Sequence, residues 1–232
     1  MTNERPLWVT IPTIGQSEHL VPLLREIEQD DAVDKIILTV NLQEYVAPLR
    51  MFFNNARPKI EVVQCWRRGK SLHHGWNFAI EYARKFDAQL AVLNDDISLS
   101  EPRAISQVAG LLAEYPSYAI VGLNWQETPE STSPSARPLR AVHGSYRHHG
   151  VGGFAWVCDP HKVSLVPDDF VWWYGDDHIF LSAERDGHKI GIASHVHVEH
   201  VNALTANSGD HNWTHEAISG DTDAFRRIWP GQ

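Results

Sequence analysis

Two acidic pairs and a run of histidines are the residues best suited to chemistry. In Ala91-Val92-Leu93-Asn94-Asp95-Asp96-Ile97-Ser98-Leu99 an apolar run is cut by Asn-Asp-Asp and then resumes. A buried strand ending on two carboxylates brings them to a sheet edge. There they cap a turn, or they hold a hard divalent cation that in turn holds phosphate. Asp176 and Asp177 follow the aromatic stretch Val171-Trp172-Trp173-Tyr174-Gly175 and stand where a helix begins. They are either an acidic helix start favoured by the dipole or a partly desolvated carboxylate able to take a proton from an acceptor hydroxyl. His195, His197 and His200 cluster after the last strand pattern. No His-Glu-x-x-His spacing accompanies them, so a single imidazole completing a carboxylate site is as good a reading as a zinc site. For two of the three, ordinary surface or core positions are the alternative reading. On a strand, His195 and His197 share a face, and His200 falls on the other or past the end.

A basic turn, Arg67-Arg68-Gly69-Lys70-Ser71, precedes a helical pattern. Its end looks like that of a phosphate-binding P-loop, but that motif requires Gly at position 64, where Gln64 stands. Arg68 and Lys70 therefore read either as a solvated turn or as cations meeting a diphosphate at a helix start.

The elements that must position these residues alternate. Strand patterns run over Leu7–Pro12, Lys35–Val40, Ile60–Gln64 and Gln89–Leu93. Helical spacing follows Ser17 (Leu20, Leu23, Leu24, Ile27), Ser71 (Leu72, Trp76, Ala79, Ile80) and Pro102 (Ile105, Val108, Ala109, Leu112). Continuous apolar strands separated by helices predict a doubly wound, mostly parallel α/β sheet. In such sheets ligands bind at the carboxyl ends of strands. Pro12-Thr13, Asn41 and Asn94-Asp95-Asp96 all stand at such ends. The rhythm breaks after Ile120–Leu123: residues 124–149 are rich in Ser, Pro, Arg and His and read as a lid or acceptor loop. A glycine-rich entry, Gly150 to Gly153, leads into another strand. Ile190–Val198 is the last, and a polar tail begins near Asn207.

The composition bounds the partners. The chain has 232 residues, 43% hydrophobic and 21% charged, with a net charge of -9, which suits one globular domain and does not favour a broad nucleic-acid face. Two cysteines, Cys65 and Cys158, indicate no disulfide scaffold. With no signal-like or membrane-length apolar run, a soluble cytoplasmic protein is expected.

Taken in order, these motifs resemble the family 2 glycosyltransferases of GT-A fold, over roughly residues 7 to 205. The order is a strand ending Ile11-Pro12-Thr13, a strand ending at Asn41, a basic turn before a helix carrying Asn77, Asn94-Asp95-Asp96, Gly152-Gly153-Phe154, an aromatic run before Asp176-Asp177, and a strand ending in His200. The resemblance implies one Rossmann-like domain: a nucleotide-sugar half to residue 115, an acceptor half over 116–206, and a small C-terminal extension over 207–232. It implies transfer of a sugar, with inversion, from a nucleoside-diphosphate sugar (UDP-sugar favoured) to an acceptor hydroxyl, assisted by Mn²⁺ or Mg²⁺. Pro12, Thr13, Asn41, Arg68, Lys70, Asn77, Asn94 and Asp95 would contact the donor. Asn41 takes the place of an Asp that often binds the uracil. Asp96 and His200 would hold the metal, with His197 as the substitute for His200, and Thr205 would be the hydroxyl residue that follows. Asp177 would be the general base beside Asp176. Gly152, Gly153, Trp172, Trp173 and Tyr174 would form the acceptor side. The acceptor itself is open: a saccharide, a protein side chain or a modified nucleobase. Arg137, Arg140, Arg147, His148 and His149 permit an anionic acceptor such as DNA, against the overall charge. The residues also allow a metal-dependent hydrolase or phosphoesterase, or a non-catalytic nucleotide-sugar-binding module. A nucleotidyltransferase is disfavoured, because Thr13-Ile14-Gly15-Gln16 lacks a basic residue.

Overall fold

Alternation along the strands divides the core into two layers. Val9, Ile11, Ala91 and Leu93 belong to one buried cluster, and Trp8, Leu90 and Val92 to the other, as the two-residue period of a strand requires. The computed structural model describes residues 5–53, 57–65, 72–125, 138–144, 150–201 and 211–231. Its elements in order are β1 (Leu7–Thr13), α1 (Leu20–Glu28), β2 (Val33–Val40), α2 (Gln43–Phe53), β3 (Ile60–Gln64), α3 (Leu72–Lys85), β4 (Gln89–Leu93), β5 (Ile97–Leu99), α4 (Ala104–Glu114), β6 (Tyr118–Asn124), β7 (Leu139–Val142), β8 (Ala155–Cys158), α5 (Gly175–Arg185), β9 (Lys189–His200) and α6 (His211–Ile228). Helices α1, α2 and α4 pack on one face of the sheet, and α3, α5 and α6 on the other.

The nine-stranded sheet runs β3-β2-β1-β4-β8-β6-β9-β5, with β7 beside β9. Strands β1 to β4 are mutually parallel. Strand β8 enters antiparallel between β4 and β6, β6 and β9 are parallel, and β5 and β7 pair antiparallel with β9. The expected α/β sheet is therefore present, parallel across β1 to β4 and mixed beyond them. The chain leaves β1 toward β2 and β3, then returns to β4 on the other side of β1. That reversal opens a crevice above the carboxyl ends of β1 and β4.

Local sequence explains the helices that the pattern predicts. Leu20, Leu23, Leu24 and Ile27 recur at helical spacing and are all buried. On α3, Trp76, Ala79, Ile80 and Ala83 do the same, and Gly75 lets the helix approach β2, since a Cβ there would overlap Thr39 Oγ1. Three elements depart from the sequence expectation. Helix α2 carries Pro48, and of its residues only Val46 and Phe53 are buried, so it lacks an apolar stripe and contains a helix breaker. Strand β7 lies within the stretch expected as one long loop; the pairing with β9 that stabilises it is invisible locally. The expected polar tail contains α6, whose Ala224 and Phe225 are buried against the α3–α5 face.

Candidate active site

Three strand ends converge at the crevice. Thr13 closes β1, Asn41 follows β2, and Asn94-Asp95-Asp96 follow β4. The Thr13 hydroxyl donates to Asp95 Oδ2 at 2.5 Å, tying the two sides of the crevice together, and the Gly15 N–H donates to Thr13 Oγ1 at 2.9 Å. Ser17 Oγ donates to the Asp95 carbonyl at 2.8 Å. Burial raises the Asp95 carboxyl to about 6, and the neighbouring Asp96 charge adds to the rise, while the Thr13 hydrogen bond opposes it.

The second acidic residue faces a different partner. Strand β5 pairs with the end of β9 so that Ile97 lies opposite His200. The Val201 N–H donates to the Asp96 carbonyl at 2.9 Å. This pairing brings His200 Nε2 to 3.2 Å from Asp96 Oδ1. The His200 ring stacks on Phe154, centroids 4.2 Å apart and 10° from parallel. Phe154 is held in turn by the Asn94 N–H, which donates to its carbonyl at 2.8 Å. One carboxylate and one imidazole nitrogen, with substrate phosphates and water, form a donor set that suits Mn²⁺ or Mg²⁺. Among the described residues, no group of three or more His, Cys, Asp and Glu is placed to hold a metal by itself.

Opposite these residues stands the start of α5. Asp176 lies against Gly153, where a Cβ would overlap its carboxylate, so the small residue is required for the close approach. Trp172, Trp173 and Tyr174 precede the helix, and Tyr174 takes a left-handed conformation with φ 62°. A cleft of about 700 Å³ is lined by Pro12, Thr13, Asn41, Asn94, Asp95, Asp96, Gly153, Trp172, Trp173, Tyr174, Asp176 and His200. His197, the substitute ligand, lines it too.

Other expected residues lie elsewhere. Asp177 is 4% exposed and does not line the cleft. Successive helical residues point about 100° apart, so only one of the two acids faces the opening. Asn77 is occupied structurally: its Nδ2 donates to the Val166 carbonyl at 2.7 Å and its Oδ1 accepts from the Val166 N–H at 2.8 Å. A Cβ at Gly152 would meet the Phe154 ring, and Gly152 itself does not line the cleft. Arg68, Lys70, Arg137, Arg147, His148, His149 and Thr205 lie outside the described residues. Arg140 is on β7. Both cysteines are free and buried, and no helix among the described residues is long and apolar enough to cross a membrane.

Several lining residues have no signal in the sequence, among them Asn124, Trp125 and Glu199, whereas Phe154 lines the cleft as part of the Gly152-Gly153-Phe154 motif. Asn124 is buried, with Nδ2 donating to the Ser194 carbonyl at 3.0 Å. The aromatic neighbours Trp125 and Phe154 meet edge to face at 6.4 Å. Only β6, β8 and β9, pairing across the sheet, bring these residues to the cleft.

No protein-family profile matches the sequence, and no curated protein matches it either. Solved structures do match in shape. A mannosyltransferase, PcManGT from Pyrobaculum calidifontis, in complex with GDP-Man and Mn²⁺, superposes with a TM-score of 0.63 at 15% identity, over 97% of this chain and 65% of that one. GalNAc-T7 with UDP, GalNAc and Mn²⁺ superposes with a TM-score of 0.63 at 11% identity, over 86% of this chain and 44% of that one. Glucosyl-3-phosphoglycerate synthase from Mycobacterium tuberculosis, with Mn²⁺, UDP and phosphoglyceric acid, gives 0.60 at 15% identity, over 97% and 79%. The chain thus spans less than two thirds of the first two. These superpositions give this chain the GT-A glycosyltransferase fold.

Proposed function

We propose that the protein is a nucleotide-sugar-dependent glycosyltransferase that moves a sugar to an acceptor hydroxyl with inversion at the anomeric carbon. The observation that carries the reading is one cleft with two acidic walls. Asp95 and Asp96 stand at the β4 end, with Thr13 and His200 beside them, and Asp176 lines the same cleft from the start of α5. Nucleotide and acceptor then meet between groups suited to each. The structural neighbours support it, since three of them were crystallised with Mn²⁺ and a UDP- or GDP-containing ligand.

Asp96 and His200 would hold a divalent cation, which when bound offsets charge on the departing diphosphate. Asp95, positioned by Thr13, contacts the donor sugar or ribose. Pro12 and Asn41 line the nucleotide end. The buried Asn41 Oδ1 has no hydrogen-bond partner among the described residues, and it suits an N–H of the base. Asp176 accepts the acceptor hydroxyl proton. That oxygen bonds to the anomeric carbon as the bond to the diphosphate oxygen breaks, and the diphosphate leaves with the electron pair. Asp176 takes the role of base in preference to Asp177 because it lines the cleft. Trp172, Trp173 and Tyr174 offer flat apolar faces to the acceptor, which favours a saccharide.

Calorimetric titration with UDP and GDP, with and without Mn²⁺, tests the donor assignment: binding is expected with the metal and strongly reduced without it. Absence of binding to any nucleoside diphosphate refutes the reading. Proton NMR of the product tests the stereochemistry, and retention of the donor's anomeric configuration refutes inversion.

A further inference from the structure

The acceptor wall is anchored from the far end of the chain. Asp221, on α6, is 1% exposed. Its Oδ1 accepts from the Val171 N–H at 2.8 Å, and its Oδ2 accepts from the Trp172 and Trp173 N–H groups at 2.7 and 2.6 Å. Three successive amides converging on one point form the concavity that proteins use to bind anions. Here the anion is a side chain some fifty residues away. A charge buried this deeply is stable only when hydrogen-bonded, and the short charge-assisted bonds supply that.

The same helix continues the grip. Phe225 stacks on Tyr174, centroids 4.6 Å apart and 22° from parallel. Thr222 Oγ1 lies 3.4 Å from the Tyr174 hydroxyl. Tyr174 is the left-handed residue that turns the loop into α5. Such a conformation in a bulky residue persists only where surrounding contacts over-determine it. Two residues later comes Asp176.

We infer that Asp221 is a positioning residue for the acceptor side: its carboxylate fixes the Val171–Trp173 backbone, and through Tyr174 the start of the helix that carries Asp176. The inference rests on the glycosyltransferase reading for the meaning of that wall, but the anchor is a physical claim by itself. Asp221→Asn is the informative variant. It keeps the size of the side chain but leaves one acceptor oxygen where two are used, and turns an N–H donor toward at least one backbone amide.

The test uses the full chain labelled with 5-fluorotryptophan, with Trp172 and Trp173 signals assigned from W172F and W173F. In D221N those two fluorine signals are expected to shift and broaden, while that of Trp8 on β1 stays and the Mn²⁺-dependent affinity for UDP is unchanged. In the unsubstituted chain, the Val171, Trp172 and Trp173 amides are expected to exchange slowly with deuterium, although they lie outside any helix or strand. This second measurement holds even if D221N fails to fold. Unmoved Trp172 and Trp173 signals overturn the inference, as does fast exchange of the three amides. Movement of the Trp8 signal together with theirs also overturns it, because Asp221 would then support the whole fold. A chain that binds no nucleoside diphosphate refutes the glycosyltransferase reading instead, and leaves the anchor to the fluorine and exchange results.

Discussion

The two halves of the sheet hold their share of the cleft by different means. In the parallel half, β1, β2 and β4 each deliver residues at their own carboxyl ends, and the groups that matter lie within three residues of a strand terminus. In the other half, His200 and Asn124 also close their strands, but contacts between segments distant in the chain set where the residues meet. His200 meets Asp96 because β9 pairs with β5. Asp176 meets the cleft because Gly153, entering β8, leaves room for it. The aromatic wall is held by a carboxylate on α6. The parallel half thus follows from a topology that any doubly wound sheet repeats. The other half depends on contacts between segments distant in the chain.

If that division is real, substitutions on the two sides should separate transfer from donor binding. The largest effect is expected for Asp176→Asn, which should lower transfer by about 10²–10⁴-fold, the usual contribution of a general base, with Mn²⁺-dependent UDP affinity intact by calorimetry. Asp177→Asn should cost less; the opposite ranking would move the base to Asp177. On the donor side, Asp96→Ala should weaken Mn²⁺-dependent UDP binding by at least the ~10–100-fold that loss of an outer-shell partner costs at a metal site. An affinity that stays the same with and without Mn²⁺ would refute that role.

Smaller changes probe the seam between the halves. Gly153→Ala should displace Asp176 and lower kcat by about 10²-fold, the scale of an ångström misplacement, without changing UDP affinity. Gly75→Ala crowds Thr39 within the donor half and should act on stability instead, by about 1–3 kcal/mol in a denaturant titration; unchanged stability would show that α3 can shift.

A last effect is expected on the pH dependence of stability, through the contact between α3 and α5. His73 is 2% exposed and packs on Gly175. Burial pulls its imidazole down to about 3, with His74 and His178 further opposing its charge. The unfolded chain takes up that proton near pH 6.5, whereas the folded chain resists it. His73 therefore contributes its stability in full above about 6.5, and the contribution is lost as pH falls toward 3. His178, lowered to about 4 chiefly by burial, adds in the same direction. Thermal melts of His73→Gln between pH 7 and 4 should show a shallower acid decline than the parent chain; an identical slope would mean that His73 is not the group responsible.

The sequence by itself determined the parallel half of the sheet. Continuous apolar runs with helices between them dictate a parallel sheet, and a polar residue that closes such a run must lie at a strand end, where the crevice forms. Thr13, Asn41 and Asn94-Asp95-Asp96 were legible for that reason. The acid pair before α5 and the histidines after β9 were legible as candidates, but not as a choice among them. Helix phase decides that Asp176 rather than Asp177 lines the cleft, and strand register decides that His200 rather than His197 reaches Asp96; both are set by packing. Asn77 shows the limit from the other side, since only the fold shows its amide closed on Val166. Helix α6 was hidden by its polar composition and strand β7 by its length of 4 residues, and each owes its stability to partners distant in the chain. Tertiary structure alone decided what brings Asp221 beneath the tryptophans: a carboxylate and three amides fifty residues apart have no periodicity to reveal them, and they meet because the core folds α6 against α5.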